Sequence, residues 1–142
     1  MSKLNLQAKA RELARVAQSA SSGRAAHTIV GGHERRLRQT VVALRAGSTF
    51  GGRSQSEFGE STLLVISGQL WLAGTGTEWY GREWSHLVIP DAPYEVRAKT
   101  DATFLLSVAM SRTPLITPDA NPDLIDEAAA QPADLKEDAT TV

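Results

Sequence analysis

Cysteine is missing from all 142 residues. Its absence excludes disulfides, thiolate metal sites, iron–sulfur clusters and cysteine nucleophiles together. Long hydrophobic runs are missing as well, since no stretch approaches the roughly 18 apolar residues that a membrane helix needs. Lys3, Lys9, Arg11, Glu12 and Arg15 interrupt the N-terminal region, which therefore has no apolar signal-peptide centre. The expectation is a cytoplasmic, soluble protein with no membrane partner. Histidine is scarce, with three copies, and so is tryptophan, also with three. What remains is ordinary: 42% hydrophobic and 22% charged residues suit one globular domain with a proper core.

The net charge of −1 hides an asymmetry. Residues 113–142 carry seven acids (Asp119, Asp123, Asp126, Glu127, Asp134, Glu137, Asp138) against Lys136 alone. Residues 1–46 carry nine bases against Glu12 and Glu34. A basic half can attract phosphates. Few aromatics interleave with these bases, so a nucleic-acid partner is not expected.

Residues 5–20 read as a short helix. Leu6, Ala10, Leu13, Ala17 and Ala20 recur at three- and four-residue spacing, Asn5 is a suitable N-cap, and Ser21-Ser22-Gly23 ends the element. From Ala25 the texture turns to β. Strands are expected over 26–30, 37–44, 61–66, 69–73, 77–80, 86–89, 94–98 and 103–109, with 46–52 as a glycine-rich loop. Gly31-Gly32, Gly68 and Gly74-Thr75-Gly76 supply turns, and Pro90-Asp91-Ala92-Pro93 a rigid loop. Short strands with no crossover helices between them argue for an antiparallel sandwich or barrel. After Met110, Pro114, Pro118, Pro122 and Pro132 break regular structure, so 113–142 reads as an extended acidic tail.

The stretch Leu37–Ala109 resembles the cupin superfamily of small jelly-roll barrels. Gly47 and the run Thr62-Leu63-Leu64-Val65-Ile66-Ser67-Gly68-Gln69-Leu70 look like the first signature block, G-x5-H-x-H-x3–4-E-x6-G. His86-Leu87-Val88-Ile89-Pro90-Asp91-Ala92-Pro93-Tyr94-Glu95-Val96 looks like the second, G-x5-P-x-G-x2-H. The resemblance implies an all-β jelly-roll barrel over residues 25–112, between an N-terminal helical segment (1–24) and the extended or disordered acidic tail (113–142). The signature side chains depart from the pattern. The two histidine positions of the first block fall on Arg53 and Gln55, or on Gln55 and Glu57, and its acid on Glu60 or Ser61. The histidine of the second block falls on Tyr94 or Glu95, and Trp84-Ser85 stands where Gly-Asp is common. His27, His33 and His86 lie at none of these positions.

A transition metal in such a barrel needs several imidazoles and a carboxylate converging from neighbouring strands. No metal and no cofactor is therefore expected. Arg53, Gln55, Glu57 and Tyr94 are the candidate ligand-binding residues at the barrel mouth, suited to a small polar or anionic molecule. Alanine at Arg53 or Tyr94 is expected to weaken binding while sparing stability. Trp71, Trp79 and Trp84 are expected in core or dimer packing. The functional expectation is a metal-free, small-ligand-binding, sensor or accessory protein, and a homodimer. The alternatives are a metal-dependent cupin enzyme, oxygenase or isomerase, with non-standard ligands, or an interaction protein acting through the basic N-terminal region.

Overall fold

The structure, a computed structural model, describes residues 3–52, 60–74, 76–89 and 93–110. The candidate residues Arg53, Gln55 and Glu57, the Pro90–Ala92 part of the rigid loop and the acidic tail lie outside the described residues.

Helix α1 spans Leu6–Ser19. The Asn5 side chain accepts a hydrogen bond from the Ala8 N–H at 2.9 Å, satisfying one of the unpaired donors of the first turn. The far end is held by Arg45, whose guanidinium donates to the carbonyls of Gln18 and Ala20 at 2.9 and 3.2 Å. A cation there also opposes the negative end of the helix dipole. Asp101 completes the clip, accepting from the Gln18 amide and from the Ala46 N–H, both at 2.8 Å.

Among the described residues nine strands follow: β1 (Arg24–Val30), β2 (Leu37–Leu44), β3 (Thr49–Gly52), β4 (Ser61–Ser67), β5 (Leu70–Gly74), β6 (Thr77–Gly81), β7 (His86–Ile89), β8 (Tyr94–Ala98) and β9 (Ala102–Ala109). They form two antiparallel sheets, ordered β1-β2-β9-β4-β7 and β3-β8-β5-β6. The jelly-roll arrangement expected from the sequence is therefore present. One local expectation fails: Thr49–Gly52 is strand β3 rather than loop, because it pairs along β8 from Thr49↔Arg97 to Gly52↔Tyr94. Pairing partners outweigh the poor strand propensity of two glycines.

Two apolar layers hold the fold. Between the sheets lie Val42, Leu44, Phe50, Leu63, Val65, Leu70, Leu72, Val96 and Phe104, among others. On the outer face of the larger sheet, Ala10, Leu13 and Ala17 of α1 pack on Ala25, Val41, Ala43, Ile66 and Leu105. Successive residues of a strand point to opposite faces, so Val41 and Ala43 serve the helix while Val42 and Leu44 serve the barrel. The small alanines let the helix lie close to the sheet.

At the β4–β5 turn, Gly68 has φ 78° and lies against the start of β9. A Cβ there would collide with the Asp101 carbonyl oxygen and come within 2.7 Å of Ala102 Cα, so only glycine fits.

Candidate functional site

The period-2 alternation of the larger sheet fixes what faces the barrel interior. One cross-strand row runs Leu44–Ala102 at the closed end; another runs Val42–Phe104–Val65. Towards the opposite end the rows become Thr28–Thr40–Leu106–Leu63–Leu87 and then Arg38–Val108–Ser61–Ile89. Tyr94 opens β8 on the facing sheet, paired with Gly52 and Gly74. The interior therefore changes from wholly apolar to mixed along its length; this mixed end, nearest the candidate residues, is termed the mouth.

Tyr94 is the one sequence-predicted site residue that the structure describes. It opens β8 at the end of the barrel where Gly52 and Gly74 pair with it, but only 9% of it is exposed and it belongs to the core between the sheets. Burial pushes its phenol up to about 12, so the hydroxyl stays protonated through the neutral range. The expectation that alanine at 94 would spare stability is thereby corrected: the ring fills core space, and its removal leaves a cavity.

The mouth also holds Thr28, Thr40 and Arg38, to which the family signature does not point, and Ser61, to which it does. The hydroxyls of Thr28 and Thr40 meet at 3.1 Å on the inner face. Arg38, two residues before Thr40 on the same strand, shares that face. Ser61 falls in the row of Arg38 and is buried, at one of the two positions where the resemblance implies a carboxylate. The signal that could have found Arg38 and Thr40 is the alternation Arg38-Thr40-Val42-Leu44.

No imidazole reaches this interior. His27 stands on the outer face of β1 with Ala25 and Ile29, which pack under the helix. His86 is paired with Leu64, which also packs in the outer layer. His33 lies in the β1–β2 turn. Among the described residues no group of three histidine, aspartate or glutamate side chains could hold a metal ion. The described residues do not fit the metal centre that the fold family implies.

The tryptophans divide. Trp79 packs against the core. Trp71 is half-buried on the outer face of the smaller sheet, with the Arg97 guanidinium 5.4 Å from its ring centroid. Trp84 is 62% exposed and has φ 69°, a left-handed conformation at the position where the resemblance implies glycine. Of the two expected roles, core packing does not apply to Trp71 and Trp84, since one turns outward from the smaller sheet and the other is held at the surface by the turn before β7; the dimer role stays a proposal.

No helix among the described residues is long and apolar enough to cross a membrane. No protein-family model matches the sequence, and no curated protein matches it. Solved structures do. A conserved protein of unknown function from Streptococcus pyogenes is similar with a TM-score of 0.60 and 20% identity, over 79% of this chain and 90% of that one. The Cupin_2 domain of an XRE family transcriptional regulator from Enterobacter cloacae gives a TM-score of 0.55 and 16% identity, over 63% of this chain and 98% of that one. Salicylate 1,2-dioxygenase from Pseudoaminobacter salicylatoxidans, crystallised with gentisate, gives 0.60 and 20% over 76% of this chain. The match there spans 32% of the dioxygenase, about a third of its length. Two-sheet strand order, glycine turn at Gly68 and these neighbours together give this chain the fold of the cupin superfamily.

Proposed function

We propose that this protein binds a small polar or anionic organic molecule at the mouth of its barrel without a metal ion, in a sensor or accessory role. The observation that carries the reading is the chemistry of the described mouth. Its inward-facing polar groups are a guanidinium, hydroxyls and a protonated phenol, with neither imidazole nor carboxylate among them. Such a set donates hydrogen bonds and one positive charge; it suits oxygen-rich or anionic ligands and opposes a cation. The similar structures include both the Cupin_2 domain of a transcriptional regulator and a dioxygenase, so the preference for sensing over catalysis rests on the residues of the mouth. Arg53, Gln55 and Glu57 are proposed as further contacts from the loop between β3 and β4, and the protein as a homodimer, which light scattering would measure.

Native mass spectrometry of the full chain, purified without added metal, tests the reading. The expected result is a small-molecule adduct that survives chelator treatment and weakens in Arg53→Ala. An adduct that vanishes with chelator, together with a bound metal ion, would contradict it and favour the metal-dependent enzyme.

A further inference from the structure

Five observations converge on the β1–β2 corner of the mouth. Arg38 lies on the inner face of β2, in register with Val108 of β9. It makes no hydrogen bond or ion pair with any described side chain, and no carboxylate among the described inward-facing residues shares its end of the barrel. Thr28 and Thr40 hydroxyls are 3.1 Å apart, so one O–H is used within the pair and the other remains to donate. Gly31 lies close to both Thr28 and Arg38: the position of a Cβ there is 3.2 Å from Thr28 Cγ2 and 3.9 Å from Arg38 Nε. Leu106 and Val108 extend the same inner face as apolar floor.

We infer that Arg38, with the Thr28–Thr40 hydroxyl pair, holds the carboxylate of a monoanionic organic acid whose apolar body lies over Leu106 and Val108, an assignment that rests on the ligand-site reading above. A guanidinium offers paired donors matched to a carboxylate, and the spare hydroxyl supplies a third. Arg38 is the one cation on the described inner face at this end, and with the apolar floor beside it the site fits one negative charge on an organic body better than a multiply charged phosphate. Thr28 is exposed and Thr40 partly so, which leaves the group reachable from solvent.

The test is titration of the isotopically labelled full chain with benzoate, benzamide and inorganic phosphate, followed by amide chemical shifts. Benzoate is expected to shift amides of β1, β2 and β9 around Thr28, Arg38 and Leu106, with benzamide and phosphate binding more weakly. Arg38→Met should weaken benzoate roughly tenfold to a hundredfold, as loss of a charge-assisted hydrogen bond implies, and Arg38→Lys less. Thr40→Val should weaken it about threefold or more, a typical neutral hydrogen bond. Unchanged melting temperatures show that the variants fold. Equal binding of benzoate and benzamide, tighter binding of phosphate, or undiminished affinity in Arg38→Met would overturn the assignment. If that happens while a chelator-resistant adduct persists in mass spectrometry, Arg38 is wrong and the ligand-site reading stands. If the adduct is metal-dependent too, both fall.

Discussion

The two ends of the barrel are built by the same strands and teach different lessons. At the closed end, β2 and β9 contribute Leu44, Val42 and Phe104, all essentially without exposure, and Leu70 and Val96 close over them from the smaller sheet. At the mouth the same alternating positions carry Thr40 and Arg38, with Ser61 and Tyr94 nearby. Backbone pairing is continuous along β2 and β9, from Leu37↔Ala109 to Leu44↔Ala102. The difference therefore lies in side chains and not in the sheet. One end stabilises the fold; the other holds a guanidinium and hydroxyls on its inner face.

Substitutions should separate the ends by stability. Phe104→Ala removes the largest fully buried side chain at the closed end and should cost about 3–5 kcal/mol, read by urea denaturation. A loss near zero would mean that the interior is not closely packed. Leu13→Ala, in the helix layer, should cost about 2 kcal/mol, the low end for a buried leucine, because the helix sits at the periphery of the fold.

Tyr94 belongs to both ends in character: core by packing, mouth by position. Its folded-state pKa of about 12 lies above the ordinary phenol value of 10.0. The folded state thus retains the proton that the unfolded state loses, and stability falls as pH rises from about 10 to 12. Below that window the group contributes no pH dependence. The full loss should be roughly 1–3 kcal/mol. Denaturation midpoints measured across this range should decline in the native chain and decline less in Tyr94→Phe; parallel declines would remove Tyr94 as the cause.

Arg38→Met and Thr40→Val mark the small end of the scale. With no described side-chain partner for Arg38, replacing it should change stability by no more than about 0.5 kcal/mol. A loss comparable to that of Leu13→Ala would show Arg38 to be a structural residue.

The sequence made most of the fold legible, for identifiable reasons. Leu6, Leu13 and Ala17 keep helical spacing, and Asn5 and Gly23 bracket the helix. Gly68 marks the turn that only glycine can make. Strand β3 was hidden because Gly51 and Gly52 lack any β signal, and pairing with β8 makes them a strand. The mouth was harder to read. On β2 the run Val41-Val42-Ala43-Leu44 is apolar throughout, since one face meets the helix and the other the barrel. That masks the alternation which would have assigned Arg38 and Thr40 to the interior. Conversely, the family signature singled out Tyr94, whose burial in the core between the sheets it does not reveal.

The central claim, a cupin-fold mouth that works without a metal ion, is tested most directly by elemental analysis of the full chain purified without chelators. The account predicts iron, manganese, zinc and nickel all far below stoichiometric amounts. A stoichiometric ion of any of these in each chain would contradict it.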